Sequence, residues 1–228
     1  MWPFKPALGS LPAMPDLCPP DGFKGDSLAI PNSSQTLAET PILAVDFEMT
    51  GLDHTIDPIL SIGFVAVEAG EIQLGTARHI IIQQDPGSNA AAVIHGLGHD
   101  DVASGIDHGA AIHQLLTALS GRVLLAHHAA IETAFLGKAL MDMGVASARW
   151  PAICTERVES HRLELQQNKS ASVRLFDTRG RYGLPLYKAH NALTDALATA
   201  ELFIAQLAHG DKGPSSKIKG YATLATLV

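Results

Sequence analysis

A chain of 228 residues is long enough for one full-sized domain with flanking pieces. Its 46% hydrophobic and 17% charged residues describe a soluble globular protein, and no apolar run approaches the ~20 residues needed to cross a bilayer. A formal net charge of −7 argues against non-specific duplex binding through a broad basic surface. It leaves room for a small nucleic-acid site whose carboxylates are neutralised by bound metal.

Eight of the 13 prolines fall within the first 41 residues. Positions 1–40 therefore read as a Pro-rich extension or linker, with Leu28, Ala29 and Ile30 as possible anchors. The prolines also break any continuous apolar region, so this is not a standard signal peptide. Two cysteines, Cys18 and Cys154, make no disulfide framework, and a reduced cytoplasmic protein is expected.

Three strands are expected first, at 42–48, 59–67 and 71–82, with a hairpin at Glu68–Gly70. A Gly- and His-rich loop follows through Gln83–His108. Ile112, Leu115, Leu116 and Leu119 recur at helical spacing. Arg122–Ala126 reads as a short buried strand, and Ile131–Met143 as an amphipathic helix ending at Gly144. A further helix is expected over Glu156–Gln166, with Val158 and Leu165 buried. The last helix has an apolar stripe of Leu193, Ala196, Leu197, Ala200, Ile204 and Leu207, stopped by Gly210. Three strands, a helix, a strand and then helices predict a mixed α/β sheet covered by helices over 41–210. Residues 211–228 read as a partly ordered tail.

The chemistry concentrates in ILAVDFEMTGLD, residues 42–53. Asp46 and Glu48 are two apart on a strand and so share one face. Two carboxylates on one face at the end of an apolar run repel each other unless a cation lies between them. Hard divalent ions such as Mg²⁺ and Mn²⁺ take oxygen ligands of this kind. Three other features bear on the pair. Glu132 begins a helix directly after a buried strand. His190 enters the last helix, and Asp195 lies about one turn inside it. Ile94–His95–Gly96–Leu97 reads as a turn.

In this order, over roughly residues 40–208, these motifs resemble the DEDDh subgroup of 3′–5′ exonucleases, which includes the proofreading epsilon subunit of bacterial DNA polymerase III and oligoribonuclease. Asp46, Glu48, Met49, Thr50 and Gly51 match the first motif, DxE followed by TG. Glu132 falls where the second motif carries Asp, His190 and Asp195 match HxxxxD, and Ile94–Gly96 matches an IHG turn. The resemblance implies a ribonuclease H-like fold and two metal ions, Mg²⁺ or Mn²⁺. It implies Asp46, Glu48, Glu132 and Asp195 as ligands and His190 as general base. Met49, Thr50, Gly51 and Leu52 would line the floor under the terminal nucleotide, with His95 beside its sugar or base.

Three departures stand out. Glu132 is one methylene longer than the usual Asp. His128 replaces a common Asn beside His127. Ile153–Cys154–Thr155 stands where the family often has an Asp after the next strand, and Cys154 reads as a buried thiol rather than a nucleophile.

Between Lys169 and Lys188, five basic residues face one acid. Arg174, Arg179, Arg181 and Lys188 could lead a strand toward the metals, with Tyr182 or Tyr187 stacking a base; a solvated charged loop is the alternative. The expected activity is removal of nucleoside monophosphates from the 3′ end of single-stranded nucleic acid, DNA favoured. Short RNA as substrate and a catalytically silent binding module remain as alternatives. A zinc hydrolase built on His95 and His99 is disfavoured by Gly96 and Gly98 and by the absence of H-E-x-x-H. A homodimer or a polymerase-type partner is compatible with the family, and no membrane partner is expected.

Overall fold

The computed structural model describes residues 36, 39–83, 105–144, 148–168, 170–209 and 222–227, the backbone alone at 148–150 and 222–227. In chain order the elements are β1 Ile42–Met49, β2 Ile59–Glu68, β3 Glu71–Ile81, α1 His108–Leu119, β4 Val123–Ala126, α2 Ala129–Asp142 and β5 Ala148–Cys154. They continue with α3 Thr155–Leu165, α4 Leu175–Arg181, α5 Ala192–Ala208 and β6 Ala222–Leu227. The strands form one six-stranded sheet in the order β3-β2-β1-β4-β5-β6. β1, β4 and β5 run parallel, and β2, β3 and β6 pair antiparallel to their neighbours.

β1 is apolar on both faces because both are covered. Leu43, Val45 and Phe47 pack with α1 and α2, whereas Ile42 and Ala44 pack with α5. By strand parity Asp46 and Glu48 continue the α5 side. The β2–β3 hairpin turns on Ala69 at φ 52° and Gly70 at φ 77°. Two consecutive positive φ values characterise the type I′ turn that matches strand twist.

Several expectations are corrected. Leu165 is 74% exposed, and α3 instead buries Thr155, Glu159 and Leu163. The reason is Glu159, fully buried, whose carboxylate accepts from Arg181 Nε at 3.0 Å and Tyr182 Oη at 2.7 Å. That ion pair turns the helix so that its polar residue faces inward. α5 is broader in its burial than one stripe. Asp195, Thr199, Leu202 and Gln206 are buried beside Ala196, Ala200, Phe203 and Leu207. β6 lies within the segment expected to be a tail, and β5 carries Pro151, which weakens its strand signal.

The basic stretch is also not a solvated guide. Arg179 is fully buried, donating to Ala198 O at 2.6 Å, Pro185 O at 2.9 Å and Glu201 at 2.8 Å, with its guanidinium 4.7 Å from the Tyr187 ring centre. Tyr182 and Tyr187 are bound to Glu159 and Glu201. Only Arg174 and Lys188 of the proposed basic track stay exposed without such an internal role among the described residues. Among those residues no helix is long and apolar enough to cross a membrane.

Candidate functional site

The carboxyl end of the parallel strands gathers the acidic residues. β1 delivers Asp46 opposite Gly63 of β2, and Glu48 opposite Ser61, before the pairing becomes irregular between Glu48 and Met49. A Cβ placed on Gly63 would come within 2.0 Å of the Ala192 carbonyl carbon and 2.2 Å of Leu193 N. Only a residue without a side chain lets the α5 N-terminus approach β2 this closely. That approach brings Asp195 beside Asp46.

Asn191 caps α5, its side chain accepting from Thr194 N at 3.0 Å. Asp195 sits in the first turn, where the helix dipole favours negative charge. His190 precedes the cap at φ 67°, and its backbone N–H donates to Asp195 Oδ2 at 3.0 Å. Ligand oxygens of Asp46, Glu48 and Asp195 all lie within 4.8 Å of one another. Among the described residues no other group of three or more His, Cys, Asp or Glu is arranged to hold a metal ion.

Glu132 enters from the other layer, in the first turn of α2, and is 6% exposed. Its Oε2 and the Oδ1 of Asp195 are buried without a hydrogen-bond partner. Buried carboxylate oxygens are normally satisfied, so these two are free to accept a cation. Electrostatics agrees. Burial, and then Glu132, Asp195 and Glu48, hold Asp46 well above the usual carboxylate range. Burial and Asp195 push Glu48 up to about 7 against the opposing effect of His190. Burial pushes Glu132 up to about 8. Asp195 is raised by burial too, opposed by the hydrogen bond from His190 and by the charges of His190 and Arg179. Four carboxyls this crowded favour protons or metal over bare charge.

Met49 at the end of β1 and Thr50 just after it are partly buried, and Leu52 is 72% exposed. The loop is organised by Asp57, which accepts from Thr50 Oγ1 at 3.1 Å and from Asp53 N at 2.9 Å. A Cβ on Gly51 would lie 2.3 Å from Asp57 Oδ2, so a side chain there would displace that carboxylate. His95 and the rest of residues 94–97, where a turn was expected, lie outside the described residues.

The departures have local consequences. His127 is held at both ring nitrogens, 2.8 Å from Thr155 Oγ1 and 2.8 Å from Val173 O, and burial lowers its pKa. His128 pairs with Glu156 rather than leaving a gap in the bonding. Cys154 donates to His127 O at 3.2 Å, and burial pushes its thiol up, as suits a buried thiol.

Sequence reasoning misses Asp57 and Gly63, and it assigns Arg179 to phosphate contact where the structure buries it. Gly63 alone had a readable signal, a glycine inside an apolar strand run.

The exonuclease family model, RNase T, matches residues 43–203, most of the chain. The chain belongs to the DEDDh-type 3′–5′ exonuclease family. A DNA polymerase III PolC-type protein of Thermotoga maritima is 27% identical over 176 residues, covering 76% of this chain but 12% of that protein. The chain thus spans about an eighth of the length of that curated relative. The nuclease domain of 3′hExo, a DEDDh family member bound to rAMP, superposes with a TM-score of 0.62 at 13% identity, covering 75% of this chain and 94% of that one. Pop2p of S. pombe, in a form bound to Mg²⁺ and Mn²⁺, gives 0.61 at 14% identity, with 76% and 85% covered. The DEDDh-type exonuclease chain therefore has the ribonuclease H-like fold, a mixed sheet flanked by helices.

Proposed function

We propose that this exonuclease domain hydrolyses phosphodiester bonds from the 3′ end of single-stranded nucleic acid, DNA favoured, and releases nucleoside monophosphates. The observation that carries the reading is the meeting of Asp46, Glu48 and Asp195, with Glu132 beside them and two buried carboxylate oxygens without partners. An all-oxygen donor set of this kind suits Mg²⁺ or Mn²⁺ rather than zinc. Asp46, Glu48, Glu132 and Asp195 would hold two such ions. When bound, the ions supply electrophilic stabilisation of the phosphate and promote attack by water.

The chain's own groups do the rest. Asp195, anchored by the His190 N–H, keeps its second oxygen for the cation site. The imidazole of His190, on an exposed residue at the entry of α5, takes the proton from the attacking water as general base. Thr50, Gly51 and Leu52, with Met49, support the terminal nucleotide, and the Asp57 hydrogen bonds keep that loop in place. His95 is proposed to contact the terminal sugar or base.

The preference for DNA rests on the PolC-type relative, which also makes a polymerase-type partner the favoured context. Residues 41–210 are proposed as the working unit. The test follows 3′- and 5′-labelled single-stranded DNA and RNA with Mg²⁺, Mn²⁺ or EDTA, alongside Asp46→Ala. Metal-dependent shortening from the 3′ end, absent in the variant, is expected, and the faster substrate names the class. A folded protein that cleaves nothing would make this a binding module.

A further inference from the structure

The stretch that carries His190 into α5 has little structure of its own. Residues 184–188 belong to no helix or strand, and among the described residues the backbone of 186–189 makes no hydrogen bond. Yet His190 holds φ at 67°, a left-handed conformation that a residue with a side chain keeps only where its surroundings enforce it. The far side of the stretch is tied by the bond from His190 N to Asp195 Oδ2 at 3.0 Å.

Arg179 holds the near side. Its Nη2 donates to Pro185 O at 2.9 Å and to Glu201 Oε2 at 2.8 Å, and its Nη1 donates to Ala198 O at 2.6 Å. One buried guanidinium thus joins α4, the stretch before His190 and the second turn of α5. Tyr187 completes the arrangement. Its hydroxyl donates to Glu201 Oε1 at 2.8 Å, and its ring centre lies 4.7 Å from Arg179 Cζ. We propose that Arg179, Tyr187 and Glu201 form a latch that sets the position of the His190 imidazole, an inference that rests on the exonuclease reading.

Side-chain parity links the latch to the base. Successive side chains of an extended chain point to opposite sides. Tyr187 and Ala189 are half-buried, whereas Leu186, Lys188 and His190 are exposed. Turning Tyr187 inward therefore turns His190 the other way, and the charge of its imidazole is felt at Glu48 and Asp195. Only Lys188 and Ala189 separate the tyrosine from the histidine, so a shift at one is carried to the other through backbone that nothing else restrains. Packing α4 on α5 alone needs no buried arginine, because apolar residues of similar volume serve as well. A planar fork that reaches acceptors on two separate segments suits a role in positioning.

The test measures kcat and KM in Mn²⁺ for 5′-labelled single-stranded DNA or RNA, whichever the parent cleaves faster, with Mn²⁺ affinity by calorimetry. Tyr187→Phe keeps the ring and removes only the hydroxyl; Arg179→Lys keeps the charge and loses the fork. Each is expected to lower kcat about tenfold, with KM and Mn²⁺ affinity within about twofold of the parent. In a His190→Ala background the base is gone, so adding Tyr187→Phe should change the single-turnover rate by less than about twofold. Tyr187→Phe removes one hydrogen bond from a half-buried residue, so it reports even where the lysine variant fails to fold. An unchanged kcat in Tyr187→Phe overturns the latch. So does a loss that appears in KM or Mn²⁺ affinity, or one that persists in full without His190. A parent protein that cleaves neither DNA nor RNA sinks the exonuclease reading itself, a result distinct from an active parent with an unaffected Tyr187→Phe variant.

Discussion

Asp46 and its neighbours are held in the folded protein against their own electrostatic preference. Glu48 keeps its proton up to about 7 and Glu132 up to about 8, against an ordinary glutamate value near 4.3. Both folded values are raised, so between the ordinary value and about 8 the folded state binds more protons than the unfolded one. Stability must then fall as pH rises across that window. Metal-free protein in EDTA is expected to be most stable near pH 5 and progressively less so toward pH 9, measured by urea unfolding. A flat profile would mean that burial does not raise Glu48 and Glu132 in the folded protein. Asp46→Asn removes one charge from the crowd while keeping its shape. At pH 8 without metal it should stabilise the protein by on the order of 1 kcal/mol, about one pKa unit of relief. It should also abolish measurable hydrolysis. Gained stability with lost activity is the signature of a site strained for function; loss of both would make Asp46 structural.

Elements place these residues, and α5 does most of the placing. Its N-terminus rests on β2 where Gly63 leaves no room for a methyl group. Gly63→Ala meets backbone rather than a flexible side chain, so the helix must move. Overpacking of this kind costs about 1–3 kcal/mol. The expected readout is a lower urea midpoint together with weaker Mn²⁺ binding by calorimetry, because Asp195 travels with the helix. Weaker folding with unchanged Mn²⁺ affinity would show that α5 does not set the metal site. The apolar run of β1, the Glu68–Gly70 turn and the apolar spacings of α1, α2 and α5 were legible because each is a local pattern that the packing then uses. Leu165 was misjudged because nothing in local spacing announces that Glu159 is paired with Arg181, on the next helix, and buried. The basic stretch misled for the same reason. Arg179 looks like a surface cation in sequence, yet three acceptors and the Tyr187 ring enclose it. The site carboxylates were readable through motif resemblance; Asp57, which braces Thr50, was not, because one Asp before a Pro carries no distinctive pattern.

At the scale of the whole molecule, the candidate cation site draws on both layers of the fold. Asp46 and Glu48 come from the central strand, Glu132 from the α2 layer and Asp195 from α5 on the opposite face. No unfolded chain holds these groups together, so metal that binds them binds the native state alone and shifts the folding equilibrium by mass action. At free Mn²⁺ a hundredfold above its Kd, the gain is about 2.7 kcal/mol. For a protein of this size each kcal/mol raises Tm by roughly 2–4 °C, so a rise of about 5–11 °C is expected in scanning calorimetry, growing with the logarithm of metal concentration. Binding also displaces protons from Glu48 and Glu132, so the rise must be larger at pH 8 than at pH 6. Asp46→Asn should remove most of it. A Tm that moves equally in parent and variant would place the metal elsewhere on the surface, and the convergence of three elements on one carboxylate cluster would lose its functional meaning.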